Sequence, residues 1–338
     1  MEKGKILFIN EKEIKSLLEP YKVLGLVEFS LLNHAKGNSV NPVKLHLPIY
    51  PDYDGYINSM PSYIRNKKQA GVKIVSVHKK NPITKGLPST LGTIILHHPE
   101  TGMPFSIMDG TTITAMRTGA VVGISAKYLA KKDSKVLTII GAGAQGFTSF
   151  LMTVTALDKI EEVRVVDIKS EVRKKFIENA KKEFSHIKYV EIEDIQEACN
   201  GADIVVSATT SKKNLLVDID LEPGTTVIEV SGKLSIEYIK KYDKFIADFA
   251  VCLMERVNQS GRFAAQQEGV EYIDISPELV DGEIGDVIIG KTAGRSNDKE
   301  VILSKSVGMS VEDITVAYEA YEQAIKRKVG VVLDLFDI

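Results

Sequence analysis

The stretch from Lys135 to Gly146 constrains this chain more than any other part of it. Val136 to Ile140, mostly apolar, read as a buried strand, and Gly141, Gly143 and Gly146 follow in the spacing G-x-G-x-x-G. A helical run then starts near Ala144. In a strand–turn–helix of this kind the first glycine permits the tight turn. The second lets backbone approach a pyrophosphate, and the third lets helix and strand pack closely. The helix N-terminus points unpaired N–H groups at the phosphates. The context agrees: Val163 to Asp167 reads as the next strand and ends in an acid. Asp167 stands 24 residues beyond Gly143 (167 − 143), near the distance at which a carboxylate takes ribose hydroxyls. A helix N-cap is the other role open to Asp167, since Ser170 and Glu171 follow. An acid here repels a 2′-phosphate and favours NAD over NADP. Lys169 and Arg173 temper that preference and keep NADP possible.

From residue 135 onward the pattern alternates strand and helix. Strands are expected at Val136–Ile140, Val163–Asp167, Lys188–Ile192, Ile204–Ala208, Thr226–Val230 and Phe245–Asp248. Helices lie between most of them, including a polar one from Ser170 to Phe184. This order predicts an α/β fold, a Rossmann-type doubly wound parallel sheet. Ser207 to Ser211 closes the fourth strand at the carboxyl edge, where such sheets meet ligand. Glu283 to Arg295 reads as a glycine-rich connection.

The first hundred or so residues follow another rule. A strand at Ile6–Ile9 precedes a helix that starts at Asn10 or Glu11 and ends near Pro20. Asn41 to Pro48 alternates, with Val43, Leu45 and Leu47 on one face. Lys44 and His46 share the other face, which is either solvated or, for Lys44, turned to a pocket. Tyr56–Tyr63 is expected as an edge strand and Ala70–Val77 as its neighbour. Lys73 sits there among Val72, Ile74 and Val75. Such a lysine needs a paired charge if buried, or guards an edge strand against aggregation. Leu91–His97 and Pro104–Met108 form a hairpin about Pro99–Gly102. His97 and His98, adjacent in a strand, face opposite ways and cannot share a metal ion. Hairpins without crossover helices make this an α+β domain.

Asp109 to Gly119 leads into a long helix through Ala130, with Thr111, Thr112 or Thr114 available as its cap. Arg117 in the first turns opposes the helix dipole. A bound carboxylate would offset that cost, and so would a structural salt bridge. Ser310 to Asp313 resembles a capping box. It opens a last helix with apolar Ile314, Ala317, Tyr321 and Ile325, expected to pack back on the first domain.

Composition bounds the rest. A chain of 338 residues has room for two domains. A formal net charge of −2 and only short lysine pairs give no footprint for nucleic acid. Cys199 and Cys252 have neither metal-ligand nor disulfide spacing and are expected in the core. No window reaches the roughly 18 apolar residues of a membrane helix, and Met1 to Asn10 has no long apolar run and no cleavage site. The expectation is a soluble, cytoplasmic protein.

Several motifs together resemble the ornithine cyclodeaminase/mu-crystallin family, which includes alanine dehydrogenases and ketimine reductases. They are Met60–Tyr63, Gly71–Lys73, Lys85–Ser89, Thr101–Pro104, Asp109–Thr118, Gly141–Gln145, Gly290–Arg295 and Ser306–Asp313. The resemblance spans nearly the whole chain. It implies a substrate-binding and dimerisation domain from residues 1–118 and 314–338, a NAD-binding Rossmann domain from 119–313, and a homodimer. It places Lys73 and Arg117 around the carboxylate and α-nitrogen of a small amino or imino acid, with Lys44 where relatives carry an arginine. A lysine there is a point charge and not a bidentate fork. Val307 would lie at the substrate. Ser89, Gly141, Gly143, Ala144, Gln145, Gly146, Asp167, Thr209 and Ser306 would hold the cofactor.

One departure bears on the chemistry. Cyclodeaminases and alanine dehydrogenases of this family carry an essential aspartate in a glycine-rich turn. Here the corresponding stretch runs from Val227 to Lys233, and Lys233 falls in the aspartate's place. Ketimine reductases also lack that acid. The resemblance therefore implies hydride transfer at the α-carbon of an L-amino acid or its imine, with Lys73 or Lys233 handling the proton. Two alternatives stand beside it. One is ornithine cyclodeamination to proline and ammonia with Glu229 as a relocated acid. The other is a non-catalytic binding protein that keeps the NAD(P)H fold.

Overall fold

The computed structural model describes residues 4–211, 214–230, 234–268 and 274–337. It divides into two compact units, Met1–Arg117 with Met309–Ile338, and Thr118–Gly308. The expected boundaries lie one and five residues later than these. Met309 to Asp313 belong with the first unit because they are bonded into it. The Ser310 hydroxyl donates to the Met60 carbonyl at 2.5 Å, and the Val311 N–H donates to the Asn41 side chain at 3.1 Å.

The first unit contains β1 (Lys5–Ile9), α1 (Glu11–Leu17), α2 (Pro20–Ala35), β2 (Ser39–Val40), β3 (Leu45–Pro48), β4 (Tyr56–Ile64), β5 (Gln69–Val77), α3 (Asn81–Thr84), β6 (Thr90–His97), β7 (Pro104–Asp109) and the start of α4 (Gly110–Leu129). The C-terminal segment adds α11 (Ser310–Arg327) and β16 (Val331–Asp334). The sheet runs β16-β1-β7-β6-β5-β4-β2, with β3 also on β4. Its pairs are antiparallel except β1 with β7. Met60, Lys73, Val75, Ile94, Leu96 and Met108 form its buried face, against which α11 packs.

Several local expectations change. Pro20 opens a second helix instead of only ending the first. It sits in the first turn of α2, where its missing N–H costs nothing. β4 is not an edge, because β2 and β3 pair on its far side. Pro61 falls in the gap between the residues those two short strands cover, where no N–H is needed. In β3 the expected faces are inverted. Leu45 is 70% exposed, while the His46 ring bonds the buried Asn58 side chain at 2.7 Å. Helix α4 is capped by Asp109, whose carboxylate accepts the N–H groups of Thr111 and Thr112 at 2.9 Å each, and not by a threonine. In α11 it is Glu312 that reaches back, to the Met309 N–H at 3.2 Å. Ile325, expected on the buried stripe of α11, is exposed.

The second unit is a parallel sheet of β8 (Val136–Ile140), β9 (Glu162–Val166), β10 (Lys188–Ile192), β11 (Ile204–Ser207), β12 (Thr226–Glu229), β13 (Lys244–Ala247), β14 (Gly282–Glu283) and β15 (Ile302–Lys305). Between them run α5 (Ala144–Ala156), α6 (Ser170–Glu183), α7 (Ile195–Cys199), α8 (Ile236–Ile239), α9 (Ala250–Glu268) and α10 (Ile284–Ile288). The strand order is β10-β9-β8-β11-β12-β15-β13-β14. Both faces are buried. Ile204 and Val206 enter one apolar cluster and Val205 the other, as alternation along a doubly covered strand requires. The expected doubly wound Rossmann fold is present. β15, which the sequence reading missed, inserts between β12 and β13. Cys199 and Cys252 are buried, and no described helix is long and apolar enough to cross a membrane.

Candidate active site

In the first unit the site is built on β5. Lys73 has register partners on both sides, Met60 in β4 and Ile94 in β6, so it guards no edge. It is 0% exposed. Gly71 lies two residues earlier on the same face, and a Cβ there would stand 2.7 Å from Ile314 Cδ1. Its absence lets α11 seat closely on the strand and brings Asp313 over Lys73. Lys73 Nζ donates to Asp313 Oδ2 at 2.5 Å. Arg117 Nε donates to Asp313 Oδ1 at 2.9 Å and Nη1 to Glu312 Oε2 at 2.9 Å.

Asp313 thus bridges two buried cations, and the structural salt bridge weighed for Arg117 exists. Burial, and then the Arg117 charge, push the Lys73 ammonium down to about 7, against Asp313, which raises it. Lys44 adds a smaller depression. The inverted face of β3 explains this, since Lys44 alternates with the outward Leu45 and Leu47. Among the described residues, Asp313 is the one hydrogen-bond partner of Lys73 Nζ.

In the second unit the glycine loop follows β8, and β8 and β11 flank the point where strand order reverses. Gly141 has φ +98°, and a Cβ there would lie 2.6 Å from the Ala208 carbonyl oxygen. A Cβ on Gly146 would stand 1.8 Å from the Gly141 carbonyl oxygen, so helix and strand meet only because it is glycine. A Cβ on Gly143 would meet nothing within 4 Å. That glycine is the N-cap of α5 and has no side chain with which to cap it. An open backbone surface beside the helix N-terminus fits a pyrophosphate.

Asp167 does not cap α6. Its Oδ2 accepts the Ala142 N–H and its Oδ1 the Lys169 N–H, each at 3.0 Å, which turns the carboxylate to the glycine loop. Thr209 follows β11, and its hydroxyl accepts the Ser211 N–H at 3.1 Å. Ser306 and Val307 follow β15. The Ser306 hydroxyl donates to Asp248 Oδ2 at 2.6 Å, and the Val307 and Gly308 N–H groups also donate to Asp248.

Glu229 is fully buried at the end of β12, register partner of Lys305 in β15. Lys305 Nζ donates to its Oε2 and the Tyr238 hydroxyl to its Oε1, both at 3.0 Å, and the Tyr242 hydroxyl donates to that of Tyr238 at 2.7 Å. Burial lowers the Lys305 pKa although Glu229 opposes it. Ser89 is half-buried in the first unit, where its carbonyl accepts the His78 N–H at 2.8 Å. Lys233 lies outside the described residues.

Three participants were not singled out from sequence. The sequence shows Asp313 and Glu312 only as part of a cap. The available signal was two acids opening a helix whose next residues are apolar. Asp248 was seen only as the end of a strand.

Residues 5–328 match the ornithine cyclodeaminase/mu-crystallin family, so the chain belongs to it. An alanine dehydrogenase from Archaeoglobus fulgidus is 31% identical over 98% of this chain and 99% of its own. The Thermococcus litoralis Delta(1)-pyrroline-2-carboxylate reductase, solved with NADH and L-proline, superposes with a TM-score of 0.85 at 32% identity, covering 96% of this chain and 99% of that one. An archaeal alanine dehydrogenase dimer with bound NAD gives a TM-score of 0.83 at 29% identity, covering 98% and 100%.

Proposed function

We propose that this protein is a NAD(H)-dependent oxidoreductase acting at the α-carbon of a small L-amino acid or the corresponding imino acid. The observation that carries the reading is the buried Lys73, with its pKa lowered to about 7, bridged by Asp313 to Arg117. A carboxylate and an α-nitrogen are the ligand groups that suit a cation pair of which one member can also give up a proton. Arg117 and Lys44 take the substrate carboxylate. Lys73 donates a proton to nitrogen as an imine is reduced, and accepts one as an amine is oxidised. Asp313 holds both cations in place throughout.

The cofactor fits the second unit. Gly141, Gly143, Ala144, Gln145 and Gly146 would hold the pyrophosphate, Asp167 the ribose, and Thr209 and Ser306 the nicotinamide side. A bound NAD(H) supplies or takes the hydride. Asp248 fixes the Ser306–Gly308 turn by accepting its hydroxyl and two N–H groups. Val307 is assigned to substrate contact, and Ser89 to the cofactor. Glu229 is assigned no proton-transfer role. Each of its oxygens already has a partner, so using it would break a buried ion pair, which is strongly unfavourable. These bonds favour the oxidoreductase reading over cyclodeamination with Glu229 as the relocated acid.

The same proposal includes a homodimer formed through the uncovered face of the first unit's sheet. Phe8, Leu45, Leu47, Ile74 and Leu91 are exposed there. A second copy of that face is the occupant, and the dimeric state of the archaeal alanine dehydrogenase supports it.

The test follows NADH absorbance in both directions: NADH with Delta(1)-pyrroline-2-carboxylate and related cyclic imines, and NAD with L-alanine, L-proline and other L-amino acids. Substrate-dependent consumption or formation of NADH is the expected result. Tight NADH binding with no turnover across both panels would leave a binding protein in place of an enzyme.

A further inference from the structure

The cation best placed to accept a 2′-phosphate beside Asp167 is Arg173, near the start of α6. An arginine binds phosphate through its fork of N–H groups. That fork is already engaged. Nε donates to Glu191 Oε1 at 3.0 Å, and Nη2 lies 2.9 Å from the same oxygen and 2.7 Å from Glu193 Oε1. Nη1 donates to the Asp167 carbonyl. All three nitrogens are used, and the residue is only 3% exposed. The Ser170 hydroxyl donates to Glu191 Oε1 at 3.0 Å and fixes that carboxylate in turn.

We infer that Glu191 and Glu193 are specificity-determining residues that hold Arg173 inward and so set the ribose corner against NADP(H). The inference rests on the dinucleotide reading of the second unit. Asp167, Glu191 and Glu193 bring three carboxylates to the corner. The cations there are Arg173, whose fork is filled, the exposed Lys169, and Lys174, whose charge acts on Glu191. A 2′-phosphate would meet like charge and find no open fork. A 2′-hydroxyl can donate to Asp167, whose carboxylate already points to the glycine loop. Specificity of this kind is built by repulsion as much as by attraction.

The experiment titrates the full-length protein with NADH and NADPH by cofactor fluorescence, for the wild type, Glu193→Gln, and the Glu191→Gln/Glu193→Gln pair. The wild type is expected to bind NADH about 100-fold more tightly than NADPH, and the pair to narrow that ratio by about tenfold, chiefly through tighter NADPH. The Glu193 side chain is 82% exposed, so the single variant keeps its fold and should move the ratio the same way by a few-fold. A purely structural role for the two acids would weaken both cofactors together and leave the ratio alone. Equal affinities in the wild type, or an unchanged ratio in variants with native circular dichroism, overturn the inference. If neither cofactor binds, the dinucleotide reading falls and the inference with it.

Discussion

Among single residues, Lys73 and the proton it holds are central to the proposed chemistry. Its ammonium is pushed from 10.5 down to about 7 by burial first and the Arg117 charge second. Imine reduction needs the protonated form, so its rate should fall as pH rises through about 7. Amine oxidation needs the neutral form and should rise through the same point. Asp313 works against the depression, so Asp313→Asn should lower the Lys73 pKa further and move both limbs to lower pH. A carboxylate that only supported the fold would reduce rate at every pH without moving the limbs. Lys73→Met should cost about 100-fold or more in kcat, the range for loss of a general acid–base. The same shift affects stability. The unfolded chain binds the proton more tightly, so stability should rise as pH climbs from about 7 towards 10.5, and Lys73→Met should lack that slope in chemical denaturation. The sequence made Lys73 visible as a lysine in an apolar run. It could not identify the partner, because Asp313 lies 240 residues away and meets it only through α11.

At the scale of elements, legibility followed how local the determinants are. The glycine loop declares its strand, turn and helix within a dozen residues, and Gly141 and Gly146 have no room for a Cβ. β15 was missed because Ile302–Lys305 is a four-residue strand between glycine-rich and polar stretches, placed by its neighbours β12 and β13 more than by its own pattern. The face of β3 was inverted because alternation reports two faces but not which one a helix covers. The cap of α4 gives a direct test. Asp109 serves two first-turn amides, so Asp109→Ala should destabilise the protein by about 1 kcal/mol, measured by chemical denaturation. Thr112→Val should cost less if the capping assignment is right, because the Thr112 hydroxyl accepts none of these amide protons.

At the scale of the whole molecule, the split into a hairpin-rich unit and a doubly wound unit was legible because the connection pattern changes near residue 135. The exact joins were not, since Met309–Asp313 are claimed by side-chain bonds to β4 and β5. The exposed sheet face predicts a dimer. Ile74→Asp on that face should give a monomer by light scattering, whereas an unchanged mass would place the interface elsewhere. The family holds dehydrogenases, imine reductases and cyclodeaminases, so the reaction and its substrate are the quantities to measure. The most direct measurement supplies NADH deuterated at the transferring nicotinamide hydrogen, together with an imino acid that turns over, and reads the product by mass spectrometry. One deuterium at the product α-carbon per NADH consumed, lost in Lys73→Met, is the predicted result. Conversion of ornithine to proline and ammonia without net NADH consumption, or a product free of deuterium, would contradict the account.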